Sequence, residues 1–301
     1  MCFVKKFFIV VLLFILSCLA YSSTSGQFLL VSLMARETSL GNIYTANHGK
    51  PGASIINPST LSGIHHPCVL FSHFVSVFNT YYEHLLFAFP FNDRINFGFN
   101  FLFSTNSDLY RTDENGYPVE HIENYDTLLG FIFSFDLSKE ISVGGNTKLI
   151  VSKFNRSSVF GIAFNFGCIY RNTEKNYILG ASIENLGIST AYFKEQSLYP
   201  LVARMGYTSE IFQYLDIYKI YILIEERIFL NENEGGETSF GLEVEHQNFF
   251  FFRYGYIFGK EEGRLALGAG IIFQQLKVDY SYQPFFLSDN VHMFTIEIIF
   301  D

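Results

Sequence analysis

The chain has 301 residues, 49% of them hydrophobic and only 16% charged, with a formal net charge of −9. That length admits one large β domain or two ordinary ones, and an acidic balance without a basic cluster excludes nucleic acid as a partner. It has 36 Phe and 19 Tyr but no Trp, so any aromatic girdle at a membrane interface must be built from Phe and Tyr.

Residues 1–25 read as a secretory signal. Lys5 and Lys6 form its positive start, an apolar run from Phe7 to Leu16 its core, and Ala20 or Ser25 its cleavage point. Ile15-Leu16-Ser17-Cys18 loosely resembles a lipoprotein box, but the bulk of Leu16 argues against lipidation of Cys18. No later stretch approaches the roughly 18 consecutive apolar residues of a membrane-spanning helix.

Residues 26–67 alternate weakly and collect Gly, Ser, Asn and Pro, with a turn at Asn57-Pro58. We read them as a plug or hatch rather than wall, with Arg36, Gly41, Ala46, Asn57 and Pro58 as its candidate functional positions. Asn57-Pro58 is the best placed of these. It is either the kink that seats the plug, which we favour over a moving gate, or an ordinary turn entering the first strand.

From residue 68 to 301 apolar and polar residues alternate, the period of a strand whose two faces meet different media. The expected strands are 69–78, 83–91, 94–104, 125–135, 140–152, 158–170, 177–185, 201–209, 218–229, 238–246, 249–258, 264–274, 277–283 and 291–300. In the third, Ile95, Phe97, Phe99, Phe101 and Phe103 share one face and Asn96, Gly98 and Asn100 the other. Such a greasy face suits lipid, with small and polar groups enclosed, so the expected fold is all-β: an antiparallel transmembrane β-barrel of about 14 strands. The even-numbered connections are short, while several odd-numbered ones, 105–124, 186–200 and 230–237, are long and acidic. Short periplasmic turns and long external loops give this parity.

The same phase assigns Lys148, Glu184, Arg204, Lys219, Glu225, Arg227, Glu243, Glu245, Arg253 and Asp279 to the lumen, with Lys277 and Glu297. The two signs balance there, and the acidic surplus belongs to external residues such as Asp108, Asp113, Glu114, Glu120, Glu232, Glu234, Glu261 and Glu262. Glu225 and Arg227 are expected opposite Glu243 and Glu245, where cross-strand pairing that holds the wall is preferred to a pathway. Many glycines and few large apolar groups are expected inside.

The segment after the leader carries Ala35-Arg36, Leu40-Gly41, Tyr44-Thr45-Ala46 and Asn57-Pro58. Later come Ser142-Val143-Gly144-Gly145, Gly180-Ala181-Ser182 with Asn185-Leu186-Gly187, and Asp279-Tyr280-Ser281-Tyr282-Gln283-Pro284-Phe285. In order and spacing these resemble the PorV/PorQ family of outer-membrane barrels, itself similar to FadL-type transporters of hydrophobic compounds. The departures are Lys50-Pro51-Gly52, where that family has an acidic pair, Asn57-Pro58-Ser59-Thr60-Leu61, where it has Asn-Pro-Ala-Gly-Leu, and a terminal aromatic, Phe300, one place early. The resemblance implies the outer membrane of a diderm bacterium, contact with its lipid, and insertion by barrel-assembly machinery. It also implies either passage of hydrophobic small molecules or service as a platform for secreted protein cargo. A sealed structural barrel is a further alternative.

No catalytic, metal or cofactor motif emerges. His65-His66 near Cys68 would point to opposite faces of a strand, as would Ser72 and His73. His84 and His121 are expected in external loops or at strand ends, His246 and His292 near strand ends. Cys68 and Cys168 are expected as unpaired, buried thiols. The expected function is a non-enzymatic passage for hydrophobic or small solutes.

Overall fold

The computed structural model describes residues 25–76, 79–190, 197–215, 217–231, 235–259, 263–284 and 290–300. The leader, several acidic loop positions (Glu232, Glu234, Glu261, Glu262) and Phe285 lie outside these residues. Fourteen antiparallel strands form a closed barrel. They are β1 Cys68–Ser76, β2 Thr80–Asn92, β3 Ile95–Asn106, β4 Asn124–Asp136, β5 Ile141–Phe154, β6 Ser157–Asn172, β7 Tyr177–Ser189, β8 Val202–Tyr214, β9 Tyr218–Phe229, β10 Gly236–His246, β11 Phe250–Phe258, β12 Arg264–Phe273, β13 Leu276–Gln283 and β14 Val291–Ile299. Each pairs with its neighbours in the chain, and β14 returns to β1, from Ile299 opposite Cys68 to His292 opposite Val75. Closure removes every open edge, the liability of a long sheet.

Alternation decides which side each residue sees. Along β3 the rings of Phe99 and Phe101 are exposed on the outer face, while Asn100 and Leu102 are buried within. The outer face of β2–β4 is tiled with rings in contact, Phe87 on Phe89, Phe89 on Phe97 and Phe99, and both of these on Phe131. An apolar hollow of about 410 Å³ lies on this wall among Leu85, Phe87, Phe99, Phe101, Leu129, Phe131 and Leu149. Among the described residues no helix is long and apolar enough to cross a membrane.

The connections after even-numbered strands are all tight. Of the odd ones, that after β3 carries a small hairpin, Tyr110–Thr112 with Pro118–His121, and that before β8 a two-residue strand, Ser197–Leu198, on β7.

Residues 25–67 fill the ring. They form 3-10 turns at Gln27–Leu30, Pro51–Ile55 and Pro58–Leu61 and one short helix, α1 Ala35–Ser39. The segment begins at the long-loop end, where the Ser25 N–H donates to Leu198 C=O, and leaves at the tight-turn end, where Arg171 donates to Ser62 Oγ. Inward glycines make the room. A Cβ at Gly255 would lie 2.1 Å from Gly41 N, and one at Gly180 2.1 Å from Thr45 C=O. Gly41 has φ 83, a conformation that favours glycine, and its own Cβ position meets the β11 backbone at Tyr256.

Several expectations change. β7 runs to Ser189 instead of ending at Asn185: Asn185, at φ 60, makes a bulge in β7, where Glu184 and Asn185 stand against the single residue between Phe164 and Phe166 of β6, and the ladder continues beyond it. The bulge turns Glu184 and Asn185 both inward. Glu225 and Arg227 stand opposite Ser239 and Glu237, while Glu243 and Glu245 face Tyr221 and Lys219. Cys168 is exposed on β6, and only Cys68 is buried; the one-residue alternation of β6 puts Cys168 on the outer side of Ile169.

Candidate functional site

The interior is divided. From β7 to β14 its wall is ionic; from β1 to β6 apolar side chains are interleaved with Ser and Asn, and Lys148 is the one fully charged side chain buried there among the described residues. In the ionic part the inner segment is clasped by barrel carboxylates. Arg36 donates to both oxygens of Glu243, Nε to Oε2 at 3.1 Å and Nη2 to Oε1 at 2.9 Å, and Nη1 reaches Glu37 and Asn47. The Glu243 carboxylate also takes Arg253 Nε at 2.5 Å, and Arg253 Nη1 donates to Asp279 at 2.7 Å. Lys277 closes the chain between Asp279 at 3.1 Å and Glu297 at 3.4 Å. Burial opposes the Arg36 charge, yet Glu243 and Glu37 outweigh it and raise its pKa.

A second carboxylate grips backbone. Glu225 Oε2 accepts from Tyr44 N at 2.9 Å, Thr45 N at 2.7 Å and Thr45 Oγ1 at 2.5 Å. Its other oxygen accepts from Arg204, which also pairs with Glu184 at 2.7 Å. Arg227 bonds Glu237 and the Leu30 C=O. Lys148 donates to Asn185 Oδ1 at 2.8 Å, a contact the bulge creates. Buried ion pairs of this kind repay their desolvation only with good geometry and extra hydrogen bonds; Glu225 and Glu243 have both, while Glu184 Oε2, Arg227 Nε and Arg253 Nη2 are buried without a partner.

Of the residues assigned to the lumen, Lys148, Glu184, Arg204, Glu225, Arg227, Glu243, Arg253 and Asp279 are buried inside. Lys219 and Glu245 pair with each other in register but are only half-buried, near the tight-turn rim. In the inner segment Arg36 is the ionic centre, Gly41 the close approach to β11, and Ala46 is fully buried. Asn57 is fully buried too, so it is more than a turn entering β1. Its Oδ1 caps the Pro58–Leu61 turn at Ser59, and its Nδ2 donates to Thr45 C=O at 2.7 Å. Pro58 begins that turn and packs beside Gly167.

The apolar part contradicts the expectation of few large apolar groups inside. Leu70, Phe74, Tyr82, Leu86, Leu102, Leu128, Ile132 and Ile150 form one buried cluster with Phe28, Leu29, Leu33 and Leu61 of the inner segment. His84 sits in this inward layer in the middle of β2, buried, not in a loop or at a strand end. His121 lies in the loop hairpin, and His246 and His292 near strand ends. Between the two parts a slot of about 20 Å³ is lined by Arg36, Glu37, Lys50, Lys277, Asp279 and Glu297, room for a single water. Among the described residues no three His, Cys, Asp or Glu side chains gather as a metal site would require.

Sequence reasoning missed the stitching of the wall before β8. There Tyr199-Pro200-Leu201 interrupt the ladder, and Asn231 replaces it, accepting from Leu201 N at 2.7 Å and donating to Tyr199 C=O at 2.8 Å. Asn185 Nδ2 does the same for Pro200 C=O at 3.1 Å. A proline that cannot donate to a ladder was the signal.

No family model and no curated protein matches the chain. Solved structures do match in fold. The toluene transporter TodX of P. putida superposes with a TM-score of 0.64 at 12% identity, covering 93% of this chain and 99% of that one. For the Ralstonia pickettii toluene transporter TbuX the values are 0.62, 12%, 91% and 100%. A Pseudomonas aeruginosa FadL homologue gives 0.60, 10%, 90% and 99%. The fold is therefore that of FadL-type barrels.

Proposed function

We propose that the chain is an outer-membrane barrel, its phenylalanine wall in lipid, that passes hydrophobic solutes. The observation that carries this reading is the apolar cluster on the inward face of β1–β5, Leu70, Phe74, Leu86, Leu102, Leu128, Ile132 and Ile150, a surface that suits hydrocarbon. The barrel's fold is shared with transporters of toluene, which makes a small aromatic hydrocarbon the first solute to try. The test is toluene uptake into vesicles with lipopolysaccharide in the outer leaflet, whose sugar layer slows hydrocarbons. Uptake several-fold faster with the protein than without is the expected result, and equal rates would overturn the reading.

A second reading has its own support. The clasp of Arg36 and of the Tyr44-Thr45 backbone holds the inner segment firmly against the ionic wall. Such a barrel is sealed at its tight-turn end and serves as structure or, as the resemblance to PorV implies, as a platform for secreted cargo. Equal toluene uptake together with recovery of an exported protein on the purified barrel would select it.

A further inference from the structure

The opposite facing of Ser72 and His73 leaves a hydrogen-bonded acid and base on the outside of the barrel. Ser72 is buried within, whereas His73 looks outward, with Glu83 opposite it on β2. Their side chains are 43% and 39% exposed, and His73 Nδ1 donates to Glu83 Oε1 at 2.7 Å. Rings and aliphatic groups surround the pair on that face. Phe71 and Val75 flank His73 along β1, Tyr81 and Leu85 flank Glu83 along β2, and Phe294 and Phe103 stand across the neighbouring ladders. The carboxylate is not fully used. Oε1 keeps a second lone pair, and Oε2 has no partner; the loose last torsion of a glutamate lets that oxygen turn outward.

Ionisable side chains on a lipid-facing wall are costly in mid-membrane and tolerated near its faces. Rings with polar tips mark the height of this pair. Tyr280 lies in the same row, and Tyr81, His292 and Tyr282 lie one row nearer the long-loop rim. The pair thus sits where headgroups give way to chains, on the outer side, since long loops face outward. What lies against it there is lipid. Methylenes offer nothing to a carboxylate, which only accepts, and the ester linkages of a phosphoglyceride only accept as well. A headgroup ammonium lies higher, among the girdle rings. The complement is a donor at the head of the chain itself, an amide N–H or a hydroxyl beside the linkage. We propose that His73 and Glu83 form a site for an outer-leaflet lipid whose chains are amide-linked and hydroxylated next to the headgroup, such as an N-acylated amino sugar. This goes beyond passage of solutes and rests only on the wall lying in lipid.

The test uses two uncharged probes and one phosphoglyceride, each added to the full chain in detergent. N-(3-hydroxymyristoyl)glucosamine carries both donors beneath its sugar, 6-O-myristoylglucose carries only an ester there, and dimyristoylphosphatidylethanolamine brings a headgroup ammonium. Native mass spectrometry gives the affinities, and ring ¹⁵N signals of labelled histidine are the second readout. We expect the amide probe to bind about tenfold more tightly than the ester, the worth of a hydrogen bond to a charged group, and to shift the His73 signal where the ester does not. In the double variant His73→Phe, Glu83→Leu the preference should vanish while ester affinity stays. Both changes place apolar groups on an apolar wall and are expected to fold, which a heat-shiftable band checks. Glu83→Gln, which keeps an acceptor, should lower the preference without abolishing it, and decides the matter if the double variant does not fold. Equal affinities for amide and ester overturn the proposal, as does a preference that neither variant changes. Tightest binding of the phosphatidylethanolamine also overturns it and assigns the pair to a headgroup ammonium. If none of the three binds, the proposal falls and the passage reading stands.

Discussion

At the scale of single residues, burial decides what an ion pair is worth. Glu243 holds Arg36 and Arg253 at once, and all three are buried. Glu120 holds Arg111 in the open, at 50% and 67% side-chain exposure. Removing one partner of a buried pair leaves a charge uncompensated and costs about 3–5 kcal/mol, whereas an exposed pair is worth about 0–1 kcal/mol. Glu243→Gln should therefore lower the unfolding free energy by roughly the first amount and Glu120→Gln by at most the second, read from urea titrations in detergent. His48 makes a pH prediction. Burial first, and then Arg171, hold its pKa down to about 4 from 6.5. It is neutral in the fold, and the unfolded chain takes up the proton first as pH falls. The His48 contribution should be lost between pH 6.5 and 4, so stability should drop over that window and the drop should be smaller in His48→Gln.

At the scale of elements, the fourteen strands were legible because alternation repeats wherever one face meets apolar surroundings and the other does not. Their ends were less so. β7 was read as ending at Asn185 because its bulge breaks the period there, although the ladder continues to Ser189. The inner segment was legible as something other than wall, since it lacks the period, but its contacts were not: Arg36 and Glu243 are paired only in space. The inward glycines were visible in the sequence, yet nothing there says that they receive backbone. They give the prediction at this scale. Gly255→Val places a side chain against Gly41 and Leu40 and should dislodge α1 while leaving the strands paired. Limited proteolysis would then cut residues 25–67 in the variant but not in the parent, and a heat-shiftable band on gels would show the barrel intact.

At the scale of the whole molecule, one polarity pattern organises the barrel: apolar rings outside, and an interior with ion pairs on one side and an apolar cluster among Ser and Asn on the other. The outer half of that pattern was readable from period two alone. The split was not, because Leu70, Leu86, Leu102, Leu128 and Ile150 come from five different strands and meet only when the ring closes. If the outer face lies in hydrocarbon, Phe131→Lys near the middle of β4 should cost about 2–4 kcal/mol, against about 0–1 kcal/mol for Tyr125→Lys at its rim. Refolding into lipid vesicles at a series of urea concentrations measures both, and equal, small costs would mean that water touches this wall.

The seam between β1 and β14 joins the two ends of a ribbon whose contents precede β1 in the chain. Enclosure is thus complete only once the final strand arrives, after every contact for residues 25–67 has been synthesised. The filling has to be in position before that zip shuts, or be threaded through a finished ring against its buried ion pairs. Order of assembly, as much as energy, keeps the interior occupied.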